Sequence, residues 1–347
     1  MAGIERTLKK LWIAALISSL VQSSCTPRSE TDGGAEAEWV ARLSHAYQAN
    51  SDYQLMAERF KALMAERTGG RFLVEIYPSG QLGSERVTVE QLQAGAQQMA
   101  ISGTPVLAGW VPEGQVFDLP YLFETRDQGL NALNGGVGDW WRQLLLQKTG
   151  IRSLGFLDYG FRHVYNSKRS IIEPSDLSGL KLRVLQSRTY ISAYEAFDVQ
   201  ATPMAYGEVY SGMQQGVIDG GEANVIGYMT SRLHEVGRFF SFTAITYNPI
   251  TLLVSERFYQ SLPEEIQEAL DLSAAESLEY QKIVAREMEA EAIEQMKASG
   301  VTLTYPSSER FVPVARPKVW DDLAERLPDG LALLEWLEME IDRIPGG

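Results

Sequence analysis

Histidine and cysteine are nearly missing from these 347 residues, which hold three of the first and one of the second. That leaves too little material for a cysteine–histidine zinc site, a disulfide framework or a redox pair. Basic residues are also scarce: 31 Lys and Arg stand against 45 Asp and Glu, for a formal net charge of −14. Gripping phosphates needs clustered cations, so no nucleic-acid partner is expected. Three enzyme signatures are absent as well. There is no phosphate-cradling Gly-Lys-Ser/Thr, no Gly-x-Ser-x-Gly elbow, and no His-Glu-x-x-His, since His234-Glu235 is followed by Arg238. No metal and no cofactor is expected.

What is present describes a well-mixed globular chain: 45% hydrophobic and 22% charged residues, with 30 glycines and 14 prolines. The length suits two domains of ordinary size. At the N-terminus, Arg6, Lys9 and Lys10 precede an apolar run from Leu11 to Val21, then Ser23, Ser24 and Cys25. This is the layout of an export signal over 1–24. The run is short for a bilayer crossing, which takes about 20 residues. A cysteine at its end predicts acylation and a lipid anchor at Cys25, although Gln22 stands where such signals prefer leucine. Removing the net +2 of residues 1–24 leaves the exported part at −16. The polar residues 25–38 read as a tether.

Further on, strand and helix patterns alternate. A strand at 39–44 precedes a helix at 53–68 with Leu55, Met56, Phe60, Leu63 and Met64 on one face, stopped by Gly69-Gly70. More strands are expected at 71–77, 98–102, 151–158, 162–166, 181–185, 217–219 and 250–255, and helices at 84–97, 126–148, 187–197, 206–215 and 222–233. Such alternation predicts βαβ units, parallel sheets and an α/β class. From Pro263 to Lys297 there is neither glycine nor further proline, and Glu264-Glu265 open the run where the helix dipole favours acids. One helix over 263–298, about 50 Å long at 1.5 Å per residue, is long enough to brace two lobes.

Two arginines carry the binding argument. Arg162 and Arg183 each lie in a strand-like segment running towards a loop. A guanidinium at a strand end can point into the crevice where open α/β sheets bind ligands, with paired donors matched to a carboxylate. On pattern alone, a surface ion pair is an equal reading. His45 and His163 sit in strand-like segments and read as hydrogen-bonded structural histidines.

Six stretches together resemble a known family: Arg71 to Glu85 with its Tyr77-Pro-Ser-Gly-Gln-Leu-Gly83, Val116 to Phe123, Gly160 to Lys168, Gly179 to Ser187, Ala201 to Tyr210, and Gly216 to Glu222. Over 39–347 the chain is similar to solute-binding subunits of TRAP (tripartite ATP-independent periplasmic) transporters, of the dicarboxylate- or sugar-acid-binding type. The resemblance implies a two-lobed periplasmic-binding-protein fold, type II-like, with a long helix spanning both lobes, closing on a small organic acid. The division expected is 39–159 plus 248–287 for one lobe and 160–247 plus 288–347 for the other. It implies that Arg183 clamps the carboxylate and Arg162 assists. The family pattern Glu-Asn-Pro or Glu-Asn-Asn here reads Glu222-Ala223-Asn224, and Asn224 is taken as the ligand-holding asparagine. Gln186 and Ser187 resemble the sugar-acid branch.

The resulting expectation is a non-enzymatic periplasmic receptor that passes an organic acid, a uronate or aldonate, to membrane subunits. Its binding residues are Arg183, Arg162, Asn224, Gln186 and Glu222, with Ser102 and Thr104 from the opposite lobe. Neutral donors suit hydroxyls, whereas a C4-dicarboxylate calls for a second cation. The alternatives are a dicarboxylate receptor, a sugar-acid enzyme with Glu222 or Glu208 as base, and the extracellular partner of a signalling receptor.

Overall fold

A computed structural model describes residues 37–344. The expected export signal and Cys25 lie outside the described residues. In chain order the elements are β1 (Trp39–Ser44), α1 (Asp52–Thr68), β2 (Phe72–Tyr77), α2 (Glu85–Gln93), β3 (Met99–Gly103), α3 (Thr104–Leu107), α4 (Arg126–Asn134), α5 (Gly136–Thr149), β4 (Ile151–Leu157), β5 (Phe161–Asn166), β6 (Lys181–Val184), α6 (Arg188–Glu195), β7 (Gln200–Pro203), α7 (Val209–Gln214), β8 (Gly220–Ala223), α8 (Val225–Thr230), β9 (Phe239–Tyr247), β10 (Ile250–Ser255), α9 (Glu256–Ser261), α10 (Glu264–Ala298), β11 (Thr302–Thr304), α11 (Ser308–Arg326) and α12 (Gly330–Asp342).

The strands form two sheets, in the orders β2-β1-β3-β10-β4 and β11-β9-β5-β8-β6-β7. Both are mixed, which corrects the expectation of parallel sheets. β10 runs antiparallel to β3 and β4, and β5 antiparallel to β8 and β9. The cause is the path of the chain. β9 and β10 are separated only by Asn248 and Pro249, yet belong to different sheets, so each enters as a returning strand. The chain also passes between the sheets at Asp158-Tyr159-Gly160, from β4 to β5.

Local signals explain most elements. Ser51 caps α1 by accepting from the Gln54 amide, and Gly69, at φ 60°, ends it in the left-handed region that glycine enters without strain. The buried face of α1 carries Met56, Phe60, Leu63 and Met64 as expected, while Leu55 is 40% exposed. The single helix expected at 126–148 is two, broken at Gly135. A Cβ on Gly138 would fall 1.8 Å from the Leu133 carbonyl oxygen, so a glycine is required where the second helix turns against the first. The strand expected at 217–219 is Gly220–Ala223, and the helix expected at 222–233 is Val225–Thr230. The expected 206–215 begins as a tight turn at Tyr206–Glu208 before α7.

α10 runs for 35 residues, about 52 Å, and packs on both lobes. Its first half buries Ile266, Leu270, Ala274 and Leu278 in the core that holds Met56, Phe60 and Ile101 of the first sheet's side. Its second half buries Ala292 and Met296 with Tyr165, Val209 and Phe240 of the second. The brace expected from composition is therefore present. Between the halves, Gln281 donates to the Asp158 carbonyl at 3.1 Å and accepts the Asp158 amide at 2.9 Å, holding the crossover strap. The final helix, α12, packs back on α4 and α5. Among the described residues, no helix is long and apolar enough to cross a membrane.

Candidate solute-binding cleft

Sheet order assembles the site. β8 lies between β5 and β6, so Glu222 on β8 sits between Arg162 on β5 and Arg183 on β6. The Arg162 Nε faces the Glu222 carboxylate, and its Nη2 donates to the Glu222 carbonyl at 2.7 Å. Arg183 Nη1 lies 3.5 Å from Glu222 Oε1, and its Nε donates to the Met204 carbonyl at 2.9 Å. All three side chains are almost wholly buried, at 3%, 3% and 0% exposure. Buried charges persist only when paired and hydrogen-bonded, and this triad retains one formal positive charge. Burial, with the nearby Arg162 guanidinium, pulls the Arg183 proton affinity down, yet a guanidinium stays charged in proteins.

Two adjoining chambers open from these arginines. The inner one, about 10 Å³, is lined by Tyr47, Tyr159, Arg162, Arg183, Tyr206 and Asn248, among others. The outer one, about 270 Å³, is reached past Arg183 and Tyr206 and carries Glu85, Arg86, Gln186 and Glu208. Both have walls from both lobes: the rings of Tyr47, beyond β1, and Tyr206, before α7, stand 5.6 Å apart across the cleft. Arg162 Nη1 donates to the Tyr159 hydroxyl at 2.5 Å, with the guanidinium 5.0 Å from that ring's centroid. Glu85 opens α2 and accepts the Gly103 amide at 3.1 Å; burial pushes its carboxyl up from the ordinary value.

The other predicted residues separate into groups. Gln186 is exposed and lines the outer chamber. Glu208 also faces it, exposed, and accepts the Ala205 amide at 3.3 Å. Ser102 and Thr104 are buried in the first sheet's side, Ser102 beside the Glu85 carboxylate; the inner chamber is lined by their neighbours Gly103 and Pro105. Asn224 caps α8, accepting from the Gly227 amide at 2.8 Å while its own amide donates to the Tyr159 carbonyl at 3.2 Å. It borders a separate hollow behind the strap, with Arg126 and Glu289, not the two chambers. Ser187 donates to buried Asp118 at 2.5 Å. His163 is half-buried, accepts the Ala244 amide, and is pushed down to about 3 by desolvation and the Arg162 charge; His45 pairs with Gln54.

Sequence reasoning passed over Tyr47, Tyr159, Glu85, Tyr206 and Asn248. Glu85 and Tyr206 lie inside family-like stretches, which is the signal that could have found them. Tyr47, Tyr159 and Asn248 sit in connections between elements, where no periodicity marks them. Among the described residues no group of three or more His, Cys, Asp or Glu side chains is arranged to hold a metal ion.

The chain is similar to known proteins in both sequence and fold. Residues 43–326 match the family described as bacterial extracellular solute-binding protein, family 7. The 2,3-diketo-L-gulonate-binding periplasmic protein of Escherichia coli is 30% identical over 295 residues, covering 85% of this chain and 90% of its own. The C4-dicarboxylate-binding periplasmic protein of Rhodobacter capsulatus is 31% identical over 298 residues, covering 83% and 87%. A TRAP periplasmic solute-binding protein from Sulfitobacter sp. NAS-14.1, crystallised with β-D-galacturonate, superposes with a TM-score of 0.84 at 27% identity, over 86% of this chain and 99% of that one. With two sheets, one bracing helix and a cleft between them that ends on buried arginines, the chain belongs to bacterial extracellular solute-binding protein family 7, the DctP-type solute-binding proteins of TRAP transporters.

Proposed function

We propose that this protein captures a sugar acid, a uronate or aldonate, by its carboxylate and delivers it to the membrane subunits of a TRAP transporter. The observation that carries the reading is the buried Arg162–Glu222–Arg183 triad with its residual positive charge. A guanidinium has five N–H groups. Arg162 directs three at Glu222 and Tyr159, leaving two, and Arg183 directs two at Met204 and Glu222, leaving three. Those free donors suit a carboxylate at the inner end. Glu85, Gln186 and Glu208 on the walls beyond suit hydroxyls, which need acceptors when buried. The ligands named for the galacturonate-bound and diketogulonate-binding proteins belong to the same class. The net −16 of the exported part describes the outer surface; desolvated cations decide the interior.

The lobes that close on the ligand are taken as 39–159 plus 248–287 and 160–247 plus 288–347. Enzymatic turnover is disfavoured by the candidate bases. Glu222 is committed to two guanidiniums, and Glu208 stands exposed at the rim. A C4-dicarboxylate is the second reading, favoured by Arg86, a further cation lining the outer chamber. That arginine is exposed and paired with Glu90 at 3.3 Å. A thermal-shift screen over organic acids, with mass analysis of the mixture, tests the proposal: stabilisation by unaltered uronates or aldonates supports it, while tighter binding of succinate or malate, or chemical turnover, overturns it. The protein is further proposed to be periplasmic and lipid-anchored at Cys25. Cys25→Ser should then move it from the detergent-extracted membrane to the soluble envelope fraction, and an unacylated wild type would dismiss the anchor.

A further inference from the structure

The Tyr159 phenol has more to do than hold Arg162. Its oxygen accepts two donors, Arg162 Nη1 at 2.5 Å and the Asn224 amide at 3.3 Å. A phenol oxygen has two lone pairs and one proton to give. With both acceptor positions filled, the O–H is left to donate, and among the described residues it has no acceptor. The ring is 4% exposed and lines the inner chamber beside Arg162 and Arg183. Its position is fixed from both sides. Asn224 Nδ2 donates to the Tyr159 carbonyl at 3.2 Å, and the preceding Asp158 is gripped by Gln281 through both backbone groups and by Arg126 Nε at 2.6 Å.

We infer that the Tyr159 hydroxyl donates a hydrogen bond to the bound acid's carboxylate, as a third donor beside Arg162 and Arg183. This rests on the reading of the cleft as a carboxylate site and adds a neutral group to it. Two cations pull equally on any small anion. A hydroxyl with its lone pairs already fixed has one direction left, so it sets the rotation of the carboxylate plane and, through it, which hydroxyls of the acid reach the outer chamber. Burial pushes the phenol's proton affinity above its ordinary value, against the pull of Arg162, so the donor keeps its proton at neutral pH.

The test is a double-mutant cycle by calorimetry with D-galacturonate as probe, on wild type, Tyr159→Phe, Arg162→Ala and the double variant. Tyr159→Phe keeps the ring against the guanidinium and removes only the oxygen. Affinity should fall about tenfold to a hundredfold, the range for a hydrogen bond to a charged group, and a loss should persist when Arg162 is already alanine. An unchanged affinity in Tyr159→Phe, or a loss that vanishes in the Arg162→Ala background, overturns the inference, the second outcome leaving the phenol as a support for the arginine alone. If the variant melts far below wild type, infrared spectra of carboxyl-¹³C-labelled galacturonate bound to the variant at low temperature decide instead. The carboxylate stretch should shift relative to the wild-type complex, and an identical band overturns the inference. A wild type that binds succinate and not galacturonate removes the sugar-acid reading and leaves the same cycle to be run with succinate; a wild type that binds neither acid removes both.

Discussion

The two ends of the cleft are built on different principles. At the inner end, charge is buried and fixed by strands, with one positive charge in excess: β5, β8 and β6 hold Arg162, Glu222 and Arg183 in one row, and the space left is about 10 Å³. At the outer end, about 270 Å³ is walled by residues on loops and helix starts, of which Arg86, Gln186 and Glu208 are exposed. A rigid, low-dielectric end suits the one feature all candidate ligands share, a carboxylate. A loop-built end can vary without disturbing it, and there one acid is told from another.

If that contrast holds, substitutions should lose effect from the inside outwards. Glu222→Ala leaves two buried guanidiniums facing each other, and should lower folding stability by about 3–5 kcal/mol, measured by denaturant unfolding; a loss within about 0.5 kcal/mol, the usual size for surface sites, would break the picture of a tightly built inner end. Arg183→Ala should weaken ligand binding by about 2–5 kcal/mol, roughly 30-fold to several thousand-fold, with Arg183→Lys also impaired because an ammonium cannot present two parallel donors. Retained affinity in calorimetry would remove Arg183 from the clamp. Arg162→Ala should cost less than Arg183→Ala, because Arg162 has spent three N–H groups on Glu222 and Tyr159 and keeps two for the ligand, against three on Arg183. Glu85, which lines both chambers, should act on preference: Glu85→Gln removes a negative charge beside the ligand's far end, so the ratio of succinate to galacturonate affinity should rise several-fold. Gln186→Ala at the exposed rim should change affinity by about 1 kcal/mol or less, an ordinary single hydrogen bond, and alter the order among sugar acids more than the overall strength.

How far the sequence foretold this follows the same gradient. The bracing helix was legible because nothing between Pro263 and Ser299 could stop it. Arg162 and Arg183 were legible because alternating neighbours mark strands. The antiparallel partners were not, since β9 and β10 owe their direction to a switch between sheets at Asn248-Pro249 that leaves no periodic trace. No helix was expected at α11, which contains Pro313 and Pro317; burial of Phe311, Ala315, Val319 and Leu323 offsets the amides those prolines lack. Glu222 was named, but its place between two guanidiniums depends on β8 inserting between β5 and β6, a long-range pairing. Asn224 was named for a ligand and is placed as a helix cap, the commoner use of asparagine before a short helix. Ser102 and Thr104 were named for their polarity, whereas the backbone beside them, at Gly103 and Pro105, meets the chamber.

The position of β10 has a consequence for how the chain is made. β10 pairs with β3 on one side and β4 on the other, and those two strands do not pair with each other. During vectorial synthesis, residues 39–157 can emerge complete and still lack the strand that joins β4 to the rest of its sheet until Ile250–Ser255 arrives, almost a hundred residues after β4 ends. Closing so long a loop is entropically expensive and slow. A nascent chain truncated before Ile250 should therefore leave β4 without a partner strand and keep residues 136–157 protease-sensitive, whereas extension past Ser255 should protect them.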